Sequence, residues 1–229
     1  MKQIWTFVAS TLLSAAIAFA QADQGASTEK APRFGIGAKA AFDFGWMYGF
    51  DEDNLVDEKP TGIGFDVGVM LRVQMIPNLY FAPELDIAYL SASHEIEHLE
   101  RTYTNVDLEI PLMIRGTVAE RFYVTAGPQL SFNLSSDTDF GSDGTIKQCT
   151  STNECMEFNI EELGYEETLE KGAVDFGLAV GAGVNITEGL FFDIHYYLGI
   201  KELYDVDSDD IMKGAKAMKV KAGLSYWFI

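Results

Sequence analysis

The stretch Phe34-Gly-Ile-Gly-Ala-Lys-Ala-Ala-Phe-Asp-Phe-Gly-Trp-Met-Tyr48 decides the fold. On an extended chain successive side chains point to opposite faces. Phe34, Ile36, Ala38, Ala40, Phe42, Phe44, Trp46 and Tyr48 then share one face. Gly35, Gly37, Lys39, Ala41, Asp43, Gly45 and Met47 share the other. Seven more stretches repeat this alternation of apolar with small or polar residues: 63–74, 79–89, 106–115, 122–132, 174–186, 190–200 and 219–228. The connections between the eight run long, short, long, short, long, short, long. The short ones carry turn residues, at Ile76-Pro77-Asn78, Thr117 to Glu120 and Thr187-Glu188-Gly189. The long ones are 49–61, 91–102, 133–172 and 201–216.

Alternation alone does not say which face points outward. A soluble lipocalin-like barrel has the same period with its apolar face inward. Three features favour apolar-out. The polar face is built from Gly, Ala, Ser and a few charges, as a narrow eight-stranded lumen requires. Aromatic residues gather near strand ends, as the two girdles of a membrane barrel do. Trp46, Tyr48, Tyr89, Tyr103, Phe132 and Tyr204 lie toward the long connections. Phe34, Phe81, Phe122, Phe191, Phe192, Tyr226, Trp227 and Phe228 lie toward the short ones. Short and long connections also alternate strictly. The expected fold is an all-β, eight-stranded antiparallel up-and-down transmembrane β-barrel with short periplasmic turns and long extracellular loops. Pro83, Pro111 and Pro128 fall inside its strands, where each removes a ladder donor, so bulges or locally opened pairing are expected there.

The address agrees. Met1 and Lys2 precede an apolar run from Ile4 to Phe19 that ends in Ala18-Phe19-Ala20, the layout of a secretory signal peptide. Residues 1–20 are therefore expected to be cleaved off, after Ala20 or, as second choice, Ala22. Residues 21–33 read as a small, polar, flexible segment and 34–229 as the barrel domain. No later stretch approaches the ~20 apolar residues of a spanning helix. An outer-membrane address implies outer-membrane lipid around the barrel and the barrel-assembly machinery as a partner during biogenesis.

The formal charge is −19, from 16 basic and 35 acidic residues. The four long connections hold 23 of those acids and 7 of the bases. Such loops repel nucleic acid, which is excluded as a partner. The plainer reading of this charge is the solubility of exposed loops; contact with an outer-membrane or surface protein is the other. Cys149 and Cys155 both fall in the longest connection, with five residues between them. In an exported protein they are expected to form a disulfide. With no histidine nearby they make a poor zinc site.

Four strands carry longer motifs: Asn105-Val-Asp-Leu-Glu-Ile-Pro111-Leu-Met, Phe122-Tyr-Val-Thr-Ala-Gly127-Pro128, Asp175-Phe-Gly177-Leu-Ala-Val-Gly181-Ala-Gly183-Val and Asp193-Ile-His-Tyr196-Tyr-Leu-Gly199-Ile. Their order resembles the PorT-like outer-membrane β-barrel family of Bacteroidetes and their relatives. The resemblance spans roughly residues 34–229. It implies the barrel, offers a precedent for Pro111 and Pro128, and implies no particular activity.

The chemistry-bearing residues lie mostly on the polar faces. Asp43, Asp66, Glu84, Asp86, Asp107, Glu109, Asp175 and Asp193 face Lys39, Arg72, Arg115, Lys219 and Lys221. They read as a lumen charge network filling a barrel too narrow for flow, rather than as a pore. Ser225, His195 and Asp193 invite a hydrolase reading, which needs the nucleophile within hydrogen-bond reach of its base. His94 and His98 lie in an acidic connection. Asp205-Val-Asp207-Ser-Asp209-Asp210 opens like a calcium loop but lacks the sixth-place glycine and has Lys216 in twelfth place. Residues 159–171 could hold a helical turn or two, weakened by Gly164. The glycines of Gly177–Gly183 precede no helix and cradle no phosphate. No catalytic, metal or cofactor site is expected. The leading expectation is a non-enzymatic barrel with acidic surface loops. A small transport or secretion-associated component and a lipid-modifying enzyme are the alternatives.

Overall fold

Ten strands carry the period-two pattern into three dimensions: β1 (Phe34–Tyr48), β2 (Thr61–Ile76), β3 (Leu79–Ile96), β4 (Leu99–Ala119), β5 (Phe122–Phe140), β6 (Thr145–Cys149), β7 (Cys155–Asn159), β8 (Val174–Thr187), β9 (Leu190–Gly199) and β10 (Lys216–Trp227). The computed structural model describes residues 34–49, 60–96, 99–119, 121–140, 145–149, 155–159, 171–204 and 214–228. The expected signal peptide and the segment 21–33 lie outside these residues.

Eight strands close into one barrel in the order β1-β10-β9-β8-β5-β4-β3-β2. Every neighbouring pair is antiparallel, and β1 against β10 closes the ring through an unbroken register from Gly37↔Trp227 to Tyr48↔Lys216. Closure leaves no open edge, so backbone groups pair within the wall except beside the strand prolines. β6 and β7 pair only with each other.

The apolar face points outward. Phe42 is 80% exposed and Ile63 72%, while Asp66 and Glu109 of the opposite face are fully buried. A soluble barrel would show the reverse, and an apolar band around a polar interior is what a bilayer stabilises. The tight turns fit their residues. Asn78 takes a positive φ of 63°, which asparagine tolerates, and Gly189 sits at 89°, which favours glycine.

The 91–102 connection is not a long loop. β3 runs to Ile96 and β4 restarts at Leu99, paired from Ser91↔Thr104 to Ile96↔Leu99. β5 likewise extends to Phe140 against Arg101. Strands of 18 to 21 residues exceed the ~9–11 needed to cross a bilayer. Their outer thirds leave the hydrocarbon, so no apolar face marks them in the sequence.

The aromatic girdles also need correction. Tyr103, Phe191, Tyr204 and Trp227 are buried inside the barrel. Tyr103 shares its strand parity with Asp107, Phe191 with Asp193 and Trp227 with Ser225, all inward. The other named girdle residues keep to outward positions.

The three strand prolines open the pairing without shifting it. Pro83 pairs with Leu112, but the β2–β3 ladder lapses beside it, between Met70↔Glu84 and Val73↔Phe81. Pro111 pairs with Gln129, while β3–β4 lapses between Pro83↔Leu112 and Asp86↔Glu109. Pro128 pairs with Leu178, while β4–β5 lapses between Pro111↔Gln129 and Ile114↔Ala126. The register resumes in step after each gap. The bulges lie elsewhere, at Gln74/Ile76, Val106/Asp107, Thr117/Ala119 and Asn185/Thr187.

Candidate functional site: the filled lumen

The middle of the lumen is an ammonium–carboxylate lattice. β1 delivers Lys39, whose Nζ lies 2.6 Å from Glu84 Oε2, 3.1 Å from Asp86 Oδ2 and 3.9 Å from Asp66 Oδ1. β10 delivers Lys219 and Lys221 on one face, two residues apart. Lys221 Nζ sits 2.5 Å from Glu109 Oε2, 2.9 Å from Asp66 Oδ2 and 3.7 Å from Asp43 Oδ2. Lys219 Nζ donates to Glu109 Oε1 at 2.7 Å and lies 3.8 Å from Asp107 Oδ2. Glu109 thus bridges two lysines through its two oxygens. Charges buried this deeply persist only when paired and hydrogen-bonded.

Toward the loop end the lattice meets a plug. Lys171, just outside β8, reaches back to Asp107 Oδ2 at 2.5 Å, and Asn133 Nδ2 holds the other oxygen at 3.1 Å. Lys171 forms an isolated bridge with Tyr204. Gly172 N donates to Leu203 O at 2.7 Å, and Leu203 N to Ala215 O at 2.7 Å. Leu203, Tyr204 and Ala215 are buried with Met47, Tyr103 and Tyr197. Burial pushes the Lys171 ammonium below the ordinary lysine range, and Asp107 pulls it back up. Asp175 is satisfied separately, by Tyr197 OH at 2.8 Å.

The turn end is built differently. Arg115 lies over the Tyr123 ring at 3.4 Å from its centroid, with Phe191 at 4.7 Å and Trp227 at 5.8 Å. Arg72 lies over Trp227 at 4.7 Å and Tyr80 at 5.4 Å. Trp227 is thus near both guanidiniums. Met70, Tyr123, Phe191 and Trp227 form an apolar cluster around them.

The hydrolase constellation is rearranged. Ser225 Oγ donates to Asp193 Oδ2 at 2.6 Å, as does Tyr123 OH at 3.2 Å. His195 Nδ1 lies 3.5 Å from Asp193 Oδ1, and its Nε2 faces Thr125 Oγ1 at 3.1 Å. The carboxylate stands between the serine and the imidazole, where a serine nucleophile needs the imidazole between itself and the carboxylate. Thr125 takes the place at the imidazole instead. All four groups are buried, with no space beside them for a substrate. The free space near Lys39, Glu84, His195 and Lys221 amounts to about 10 Å³, room for one water, and that near Lys171 and Leu203 to about 20 Å³.

Every lumen residue named from the sequence lies on the inner face, and Asp43, Asp66, Glu84, Asp86, Asp107 and Glu109 converge on the lysines. Arg72 and Arg115 do not join them, and Asp175 and Asp193 bond to hydroxyls. Lys171, Tyr123, Tyr197 and Trp227 are partners the sequence reading missed. Tyr123, Tyr197 and Trp227 shared a parity with charged residues that could have found them. Lys171 lies outside any strand pattern. Cys149 and Cys155 stand directly opposite each other in the β6–β7 register. The side chains of His94 and His98, the acidic run 205–210 and most of the 159–171 segment lie outside the described residues. Among the described residues no three His, Cys, Asp or Glu side chains converge as metal ligands.

A family profile described as outer membrane protein beta-barrel domain matches residues 19–205. Among curated proteins no sequence matches the chain. Among solved structures, Neisserial surface protein A (NspA) superposes with a TM-score of 0.50 at 14% identity, covering 86% of this chain and 99% of its own. Ail of Yersinia pestis gives 0.42 at 13% identity, with 86% and 100% covered. OprG of Pseudomonas aeruginosa gives 0.40 at 11%, with 85% and 95% covered. At 14% identity the NspA likeness speaks to the barrel alone. The profile covers most of the chain, and with the closed, apolar-out barrel it carries the conclusion that the protein belongs to the outer membrane protein β-barrel domain family and resides in the outer membrane.

Proposed function

We propose that this is a non-enzymatic integral outer-membrane barrel that acts through its loop end, by contact with an outer-membrane or surface protein. The observation that carries the reading is the filled lumen. Ion pairs occupy its middle and plugs occupy both ends, and among the described residues the free spaces beside Lys39 and beside Lys171 are water-sized. What remains available is the acidic loop end, where 23 of 35 acids fall. The orientation that goes with this puts the long connections outside the cell and the short turns in the periplasm. The strand motifs around Pro111, Pro128, Gly177–Gly183 and Gly199 support a finer place among PorT-like members, and a secretion-associated role is the second reading. Residues 1–20 are taken as a cleaved signal peptide, and Cys149 with Cys155 as a disulfide.

Affinity purification from cross-linked outer membranes tests the partner. A specific protein should co-purify with the wild type and be lost when the acids of 201–216 are neutralised to Asn and Gln. Lipid A mass spectra should be identical for the wild type and a His195→Ala/Ser225→Ala variant. A missing lipid A modification in the variant would make the protein an enzyme.

A further inference from the structure

The ammoniums of the middle lumen bond four of its six carboxylates. Lys39 Nζ donates to Glu84, Lys171 to Asp107, Lys219 to Glu109, and Lys221 to both Asp66 and Glu109. Asp43 and Asp86 stand among the same lysines and are left over. Asp43 is 3% exposed and Asp86 0%, and no oxygen of either has a hydrogen-bond partner among the described residues. Lys221 Nζ stops 3.7 Å from Asp43 Oδ2. Lys39 Nζ lies 3.1 Å from Asp86 Oδ2 but gives its hydrogen bond to Glu84.

Both carboxyls also sit beside other carboxylates. Asp86 is directly opposite Glu109 across β3–β4, and Asp66 lies one diagonal step away on β2. Lys39, Glu84 and Lys221 complete its charged surroundings. Asp43 is directly opposite Lys221 across β1–β10, with Asp66 one diagonal step away on β2. Glu109 and Lys219 complete its surroundings. Six carboxylates therefore face four ammoniums. No further cation among the described residues is committed to them. Arg72 and Arg115 lie on aromatic rings, and His195 faces Thr125 and Asp193. Two negative charges are surplus, and two carboxyls are unbonded. A buried carboxyl with neither a donor nor a close counter-ion takes up a proton rather than keep its charge. A metal ion is the other way to balance the charge, but among the described residues no three such side chains converge as ligands.

We propose that Asp43 and Asp86 form a two-proton site, each held as the neutral acid in the folded barrel at neutral pH. The protons bring the middle of the lumen to charge balance and turn two orphan acceptors into donors. Asp66 Oδ1 is the remaining carboxylate oxygen without a hydrogen-bond partner among the described residues, and it belongs to β2, the strand between β1 and β3.

Infrared spectroscopy of the full-length barrel in liposomes tests this. At neutral pH the spectrum should contain the carbonyl stretch of protonated carboxyls, shifted in deuterium oxide. A fully ionised lattice would show carboxylate stretches alone. Asparagine has the charge and nearly the shape of the neutral acid. Asp43→Asn and Asp86→Asn should therefore each remove half of that band, and the double variant should remove all of it. Urea unfolding of each single variant should change the folding constant by no more than about tenfold, the scale of one ordinary hydrogen bond. A larger loss, failure to fold included, would mark the two aspartates as ionised partners of the lysines and overturn the proposal. So would a wild type without the band, or a band that the double variant retains.

Discussion

The middle of the lumen and its turn end bury cations by opposite means. In the middle, Lys39, Lys219 and Lys221 each have at least one carboxylate oxygen within 2.7 Å. At the turn end, Arg72 and Arg115 lie on aromatic rings instead. The chemistry of the two cations explains the division. An ammonium is a compact, strongly hydrated point charge that needs oxygen around it when water is removed. A guanidinium is planar and weakly hydrated, so ring faces satisfy much of it. The lysines consequently form a lattice in which one deletion strands several partners. The arginines form a stack in which a deletion strands few.

Glu109 offers the most damaging way to break the lattice. Glu109→Leu removes the oxygens that both Lys219 and Lys221 use, and leaves two buried ammoniums short of charge. Removing one partner of a buried pair costs about 3–5 kcal/mol. Urea unfolding in liposomes should show that loss. Adding Lys219→Leu should restore part of it, because one orphan leaves with the second change. A double variant less stable than Glu109→Leu alone would show that the lattice is not organised around this pair.

Arg115 tests the other side of the comparison with a smaller effect. Arg115→Met keeps the bulk and loses the cation over Tyr123, which is worth about 2 kcal/mol when desolvated. Arg115→Lys should recover little, since an ammonium cannot lie flat on the ring. Full recovery with lysine would mean that Asp193, not the rings, holds the charge. The Lys171 plug should fall between lattice and surface behaviour. Lys171→Met removes a contact whose partner Asp107 keeps Asn133 and a more distant Lys219, so about 1 kcal/mol is expected in the same unfolding assay.

How much of this was legible follows from where each group sits. The inward residues of β1, β2 and β10 were readable because a strand has one period, and a charge among glycines on one parity has nowhere to go but the lumen. The turn-end stack was hidden by composition. An aromatic at a strand end suits both a membrane interface and a lumen plug, and only the parity shared with Ser225 and Asp193 separates Trp227 and Phe191 from Tyr226 and Phe192. Pro83, Pro111 and Pro128 announced lost bonds, yet which neighbour loses them depends on register, which no local pattern encodes. Lys171 had no signal at all, because it lies outside every strand pattern and its place is set by its bridge to Tyr204, distant in sequence. The serine, histidine and aspartate on β9 and β10 were rightly brought close by adjacency, but adjacency does not order them.

The smallest expected effect is a control outside the lumen. Cys149 and Cys155 are opposite residues of the β6–β7 ribbon, and directly opposed residues of an antiparallel pair have Cα atoms roughly 4.5–5.5 Å apart, within the reach of a disulfide. The ribbon pairs with no barrel strand. A bond there constrains only its own short loop, about 2–3 kcal/mol in the chain-entropy picture, and that stabilisation stays in the ribbon. Cys149→Ser/Cys155→Ser should therefore leave the barrel's unfolding midpoint within about 0.5 kcal/mol of wild type, against several for Glu109→Leu. In the native protein a maleimide should add mass only after reduction. Labelling of both thiols without reduction would remove the disulfide. A midpoint shift approaching that of Lys171→Met would instead show that the ribbon is coupled to the barrel mouth, and the distinction between buried lattice and surface insert would have to be redrawn there.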